Sequence, residues 1–307
     1  GESGSGESEF GYTERHRMSR EFPIIAVTGS SGAGTTTVKR TFERMFARED
    51  VHAAFIDGDA FHRYSRAELA QILQTEPERK AELSHFSVNA NLLDRLDALF
   101  QEYGESGKGT YRHYIHAEDK RMIEAGWQVG TFTDWQPIPS GTDLMLYEGL
   151  HGGLVTHEVD IARHVDMLIG VAPTINLEWL QKIDRDTKLR GYSQEAVIDT
   201  ILGRMHDYVR YIQPQLSRTH INFQRVPTVD TSNPFELQDV PNDGESFVVI
   251  RFRDPAAVDF PYLVTMIHDA FMSRPNTLVV PGARLSLAMD LILAPQVRQL
   301  LAQRRFR

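Results

Sequence analysis

One short segment narrows the possible folds more than any other: VTGSSGAGTTTVKR, residues 27–40. An apolar run, FPIIAVT, precedes it, and residues 35–48 carry helical periodicity. Strand, glycine-rich turn and helix, in that order, aim the backbone N–H groups of residues 31–35 at an anion. Against the pattern G-x-x-x-x-G-K-S/T, Gly29 and Gly34 take the glycine positions and Thr36 the hydroxyl position, while Thr35 stands where the lysine belongs. Ser30, Ser31, Gly32 and Ala33 complete the loop. Gly32 and Gly34 let the backbone pass close to phosphates, and Thr36 offers its hydroxyl to Mg²⁺. An ordinary strand-to-helix turn also uses glycines, so the loop alone leaves nucleotide binding open. If it does hold phosphates, the missing cation comes from elsewhere in the chain.

Length and charge bound the answer. At 307 residues the chain fits one α/β core with a smaller appendage. A net charge of −9 speaks against nonspecific nucleic-acid binding. An anionic ligand would therefore require basic residues gathered in one place against the global charge. The absence of cysteine excludes disulfides, thiolate metal sites and thiol switching, and fits a cytoplasmic enzyme. The longest apolar runs are too short to span a membrane. Residues 1–17 are rich in Gly, Ser and Glu, lack the features of a signal peptide, and are expected to be a disordered tail, with Met18 as the native start.

Strands are expected at 22–28, 51–56, 144–147, 166–171, 225–230, 247–252 and 277–280. Helices are expected at 35–48, 65–74, 89–103, within 177–205, near 261–272 and near 285–301, with 111–116 a short strand or loop. The alternation predicts an α/β fold, a mostly parallel sheet flanked by helices. Residues 18–307 read as a single domain, in which 239–307 add C-terminal strands and helices.

Three further stretches carry chemistry. Asp57-Gly58-Asp59 closes the second strand, and in such sheets ligands sit beyond the carboxyl ends of strands. Helix capping accounts for one aspartate; the other is placed to accept a proton from an attacking hydroxyl. His62, Arg63 and Arg66 follow at once, a cluster suited to a sugar phosphate. LMLYEG (144–149) ends an apolar strand on Glu148, where a phosphoryl-transfer site keeps a Mg²⁺-associated carboxylate. KIDRDTKLRGYS (182–193) concentrates Lys182, Arg185, Lys188 and Arg190 in an acidic protein. A solvated helix face paired to Asp184 and Asp186 is the plain alternative. Lys182 and Arg185 nevertheless share one side of a helix, and a lid carrying them could close on a phosphoryl group. That makes Lys182, rather than the nearer Lys39, the candidate for the missing cation. Histidine spacing (113/116, 151/157) makes no zinc site. Tyr114 and His116 read equally as pocket-lining or surface residues.

The chain resembles phosphoribulokinases of the bacterial type. The resemblance rests on GSSGAGTT (29–36), DGDAFHR (57–63), HFS (85–87), FTDW (132–135), YEGLHG (147–152), NLEWLQKIDRD (176–186), INFQRVPTVDTSNPF (221–235) and DFPYL (259–263). It implies a P-loop NTPase-like fold and an ATP- and Mg²⁺-dependent kinase that converts D-ribulose 5-phosphate to D-ribulose 1,5-bisphosphate for carbon dioxide fixation. It also implies that threonine in the lysine slot is a family trait. By position it makes Asp59 the base, Glu148 a Mg²⁺ carboxylate, Lys182 and Arg185 phosphoryl-steadying cations and Asp186 an essential acid of the lid. His62, Arg66, Tyr114, His116 and Arg190 match sugar-phosphate positions. A homo-oligomer, often an octamer, activated by NADH and inhibited by AMP through Arg48, Arg251 and Arg274, is implied as well. Uridine kinase is a more distant cousin on the same scaffold, and a nucleotide-binding regulator without catalysis is the reading from another class.

Overall fold

A computed structural model describes residues 21–30, 34–236 and 239–305. The expectation for 1–17, and that for Ser31, Gly32 and Ala33, lie outside the described residues. The chain begins with β1 (Ile24–Thr28), α1 (Thr35–Arg48), β2 (Ala53–Asp57), α2 (Arg66–Thr75) and α3 (Leu93–Ser106). A small excursion follows, made of β3 (Thr110–Tyr111), α4 (Lys120–Glu124) and β4 (Gln136–Pro137). The chain returns through β5 (Leu144–Gly149), β6 (Met167–Val171), α5 (Ile175–Lys188), α6 (Gln194–Asp207), α7 (Gln213–Leu216) and β7 (Ile221–Pro227). It closes with β8 (Ser246–Phe252), α8 (Phe260–Met266), β9 (Phe271–Arg274), β10 (Thr277–Pro281) and α9 (Leu285–Arg305).

Among the described residues, eight strands form one sheet in the order β2-β5-β1-β6-β7-β8-β10-β9. The five from β2 to β7 run parallel, and β8, β10 and β9 add antiparallel pairings. The central strands read as unbroken apolar runs because both of their faces are covered. Ile25 and Val27 of β1 point to one side, where Val38, Phe42, Met45 and Phe46 of α1 and Met289, Ile292 and Leu293 of α9 pack. Ile24 and Ala26 point to the other, against Leu96, Leu99 and Phe100 of α3. The α1 residues recur at i, i+4, i+7 and i+8, one helical stripe. Cutting back Phe42, which is wholly buried, would cost about 3–5 kcal/mol.

The alternating pattern holds, with boundary corrections that have local causes. The strand expected at 225–230 is Ile221–Pro227: Ile221 and Phe223 are the buried alternates, and Pro227, having no N–H to donate, sits at the last paired position. The helix expected near 261–272 stops at Met266. Asp269 then adopts φ 62°, a left-handed turn, and residues from Phe271 join the sheet edge as β9. The helix expected from residue 89 begins at Leu93, after a 3₁₀ turn over Val88–Ala90 capped by the Ser87 hydroxyl. No helix among the described residues is long and apolar enough to cross a membrane.

Candidate active site

The parallel topology gathers the carboxyl ends of β1, β2, β5 and β6 on one side of the sheet. Register does the fine placement: Glu148 of β5 lies opposite Asp57 of β2 on one flank and Val27 of β1 on the other. The turns after β2 and β5 then touch. A Cβ on Gly58 would meet the Tyr147 hydroxyl at 2.6 Å and the Gly149 Cα at 2.9 Å, so only glycine fits there. Gln215, 1% exposed, locks the same corner, accepting from Thr28 Oγ1 and Gly153 N and donating to the carbonyls of Leu150 and Tyr211.

Within the glycine loop, Gly29 N donates to Gly149 O, and Gly34 enters α1 with φ 98°, the left-handed conformation its missing Cβ permits. Ser30 and Thr35 are buried. The hydroxyl that reaches the acidic strand end is Thr35's, donating to Glu148 Oε1 at 2.5 Å, while the Thr36 side chain is exposed. Thr36 and Glu148 are both expected at Mg²⁺; the hydroxyl bonded to Glu148 directly is that of Thr35, one position earlier on the helix. Burial pushes the Glu148 carboxyl up to about 7, the Thr35 bond opposes this, and the negative charges of Asp57 and Asp59 add to it.

The two aspartates divide their work. Asp57 is the capping residue: its Oδ1 accepts from Asp59 N at 2.9 Å, and its Oδ2 meets His116 Nε2 at 2.8 Å. Asp59, on the 3₁₀ turn Gly58–Phe61, faces His62 Nε2 at 3.2 Å and His116 Nε2 at 3.6 Å. Burial raises the Asp59 pKa, but the His62 contact and the His62 and His116 charges outweigh it, holding Asp59 far below the usual carboxylate range. His62 is the reciprocal case. The Asn91 amide donates to the carbonyls of His85 and Ser87, which leaves Asn91 Oδ1 to accept from His62 Nδ1 at 2.8 Å. With a carboxylate at Nε2 as well, both ring nitrogens must donate, so His62 is an imidazolium. Its pKa is accordingly raised, with burial opposing. His116 is pushed up to about 9 by Asp57, Asp59 and Asp119 against the burial that lowers it.

A cleft of about 550 Å³ opens over Asp59. The expected residues His62, Arg66, Tyr114, His116, Lys182, Asp186 and Arg190 line it together. A capping box, Ser65 with Glu68, starts α2 and sets Arg66 at its first residue. On α5, Asp186 gathers Lys182 (3.5 Å), Arg185 Nε (3.0 Å) and Arg190 (3.5 Å). Burial lowers Lys182 to about 8, the Arg204, Arg185 and Arg190 charges lower it further, and Asp186 opposes them. Arg185 folds back onto Asp186 and leaves Nη2 buried without a partner. Lys39 points elsewhere, to Glu43 at 3.7 Å.

Two lining residues whose charge states are shifted were not anticipated. His85 stacks on His62 with centroids 4.6 Å apart, and burial, then the His62 charge, depresses its pKa well below normal. Arg204 of α6 brings a guanidinium beside Lys182, its pKa lowered by burial. The segment HFS contained His85 but no spacing tied it to His62. Arg204 lies 22 positions beyond Lys182 and reaches it only because α6 packs against α5.

Asp57, Asp59 and His116 also place one ligand atom each within 4.8 Å of one another, a grouping no sequence spacing showed. That grouping is already neutralised by His116, held protonated with a pKa of about 9; Glu148, whose charge is disfavoured by burial and by the two aspartates, is the carboxylate a hard divalent cation would stabilise. The arginines expected to form one effector cluster are not brought together within the chain. Arg48 pairs with Asp290 of α9 at 3.0 Å. Arg251 alternates with the core residues Ile250 and Phe252, so it points to the opposite face of the sheet, where it donates to Leu216 O and Thr219 Oγ1. Arg274 is exposed on β9, across from Thr277.

Comparison with known proteins agrees with this geometry. The Phosphoribulokinase / Uridine kinase family matches residues 24–232. "Phosphoribulokinase, plasmid" of Cupriavidus necator is 57% identical over 290 residues, 94% of this chain and 99% of the relative. "Probable phosphoribulokinase" of Escherichia coli K12 is 51% identical over 92% of this chain and 98% of its own length. The solved phosphoribulokinase from Rhodobacter spheroides superposes with a TM-score of 0.84 at 52% identity, over 93% of this chain and 99% of that one. The chain belongs to the phosphoribulokinase / uridine kinase family, with the bacterial phosphoribulokinases as its near relatives.

Proposed function

We infer that this chain is a phosphoribulokinase, transferring the terminal phosphoryl group of ATP to the 1-hydroxyl of D-ribulose 5-phosphate to give D-ribulose 1,5-bisphosphate and ADP. The observation that carries the reading is an ionised Asp59 facing a cleft into which His62, Arg66, His116, Lys182, Arg190 and Arg204 gather positive charge, in a chain 57% identical to a phosphoribulokinase over 94% of its length. In the reaction the bond from O1 to the γ-phosphorus forms, the bond to the bridging oxygen of ADP breaks, and the O1 proton passes to Asp59. In-line transfer depends on positioning and on cations around the equatorial oxygens. Lys182 and Arg185 supply those cations, replacing the loop lysine, and Asp186 aims them. His62, Arg66, Tyr114, His116 and Arg190 hold the sugar phosphate, joined by Arg204. Residues 29–36 cradle the nucleotide. Mg²⁺, when bound, neutralises phosphate charge; Glu148 would hold it, with the Thr36 hydroxyl at the start of α1. Asp57, both oxygens engaged, orients Asp59 and His116 instead of acting as base. A homo-oligomer, octamer included, and NADH and AMP acting through Arg48, Arg251 and Arg274 complete the proposal. Since Arg48 and Arg251 face away from each other, such an effector site would draw on more than one protomer.

The test is ADP release from MgATP with D-ribulose 5-phosphate, uridine or pantothenate as acceptor. Turnover with the sugar phosphate alone is expected, and Asp59→Asn is expected to lose at least about 10³-fold in kcat while ATP still binds. Turnover with uridine overturns the substrate assignment, and a near-normal Asn variant removes Asp59 as the base.

A further inference from the structure

Resting on the kinase reading above, we propose that Arg112 is the positioning residue for the Asp59–His62 turn, its guanidinium edge clamping the two backbone carbonyls that flank Phe61. Arg112 Nε donates to Ala60 O at 2.7 Å and Nη2 to His62 O at 2.8 Å. The opposite side of the same backbone is already secured. Leu92 N donates to Phe61 O, Arg63 N donates to Ala90 O, and His62 forms a bridge with Asn91. The turn is therefore gripped from both sides, by residues 90–92 on one and by a single side chain on the other.

The grip is itself immobilised. The Arg112 guanidinium lies 3.6 Å from the Phe132 ring centroid and 4.5 Å from that of Trp135. Trp135 in turn packs edge-on against Phe61 at 5.7 Å and carries Arg95 on its ring at 3.6 Å. Phe132 meets Tyr114 at 5.5 Å and pairs with it across the backbone. Arg112 also precedes Tyr114 and His116 in the same segment, so one side chain joins the half of the site that carries the base to the half that carries His116. No carboxylate within salt-bridge distance accounts for it among the described residues, and burial, reinforced by Arg95, lowers its pKa to about 10. Even half-buried, a cation without an acid partner is costly. Lysine could not substitute: two donors fixed in one plane match two carbonyls, and a flat face stacks on rings, neither of which an ammonium offers.

The experiment is steady-state kinetics on the full chain with Arg112→Lys, Arg95→Lys and Asp59→Asn, singly, and with Arg112→Lys combined with Asp59→Asn. Arg95 shares the Trp135 stack but donates to neither carbonyl of the turn, so it controls for loss of packing. Arg112→Lys is expected to lower kcat on the order of 10²-fold, because misplacing a reacting group by about 1 Å costs that much, with KM for ATP unchanged. Arg95→Lys is expected to lower Tm comparably and leave kcat alone. In the double variant, measured by single turnover, the Arg112 loss should all but vanish, since it acts through a base already removed. Wild-type kcat in Arg112→Lys, an equal kcat loss in Arg95→Lys, or full additivity in the double variant overturns the positioning role and leaves the kinase reading intact. Near-normal turnover in Asp59→Asn overturns the kinase assignment of the base and the clamp with it. Where Arg112→Lys does not fold, Arg112→Gln, which keeps one carbonyl bond, gives the same two readouts.

Discussion

Replacing Lys182 by methionine should make the protein more stable and nearly inactive at once. The side chain is 11% exposed, and its pKa falls from 10.5 to about 8, burial being the largest cause. That drop corresponds to roughly 3 kcal/mol of unfavourable charge burial in the folded chain at pH 7. Methionine has nearly the same length and no charge, and Asp186 keeps Arg185 and Arg190 as partners. The sign follows from linkage. A cation whose folded pKa is depressed binds fewer protons folded than unfolded between pH 8 and 10.5, so wild-type stability gains from this group as pH rises through that window. The advantage of the methionine variant should thus be full below pH 8 and gone by pH 10.5. Turnover moves the other way: losing a cation aimed at developing charge costs about 2.7–4 kcal/mol, or 10²–10³ in kcat. Lys39→Met serves as comparator, since its i,i+4 contact with Glu43 at 3.7 Å is worth only tenths of a kcal/mol and should leave kcat unchanged. Thermal melts at pH 7 and 10, with ADP-release kinetics, decide it. A Lys182 variant that loses stability at pH 7 with its activity, or a Lys39 variant that loses more turnover, refutes the argument.

Asp57→Asn should keep the cap on Asp59 N, because an amide oxygen also accepts, but should release His116 from about 9 toward 6.5. A raised folded pKa stabilises fully below pH 6.5 and fades as pH rises through 9, so the variant should melt lower than wild type at pH 6, by up to about 3 kcal/mol, and converge above pH 9. Parallel melting curves across that range would show that Asp57 does not hold His116. Arg204→Met should raise KM for ribulose 5-phosphate by about 10- to 100-fold, the worth of one charge-assisted hydrogen bond, with KM for ATP unmoved. An effect confined to ATP would place Arg204 in the nucleotide site instead.

Local pattern sufficed wherever one element determined the outcome. Strand, glycine turn and helix at 24–48, the helix starting at Ser65, and the apolar strand ending on Glu148 are written in periodicity and capping chemistry that depend on near neighbours. The candidate site was legible to the same extent: Asp59, His62, Arg66, Lys182 and Asp186 each stand in a recognisable local run, and the fold brings them to one cleft. Tertiary structure decided what depends on separate segments meeting. It seats the Thr35 hydroxyl on Glu148, gives the cap to Asp57 and leaves Asp59 facing the cleft, protonates His62 through Asn91, and sets Arg204 beside Lys182. It also turns Arg48 and Arg251 to opposite faces of the sheet and gives Arg112 its two carbonyls some 50 residues away. Periodicity reports which face of an element is buried; it carries no information on which distant side chain shares that burial, and charge states follow from that company.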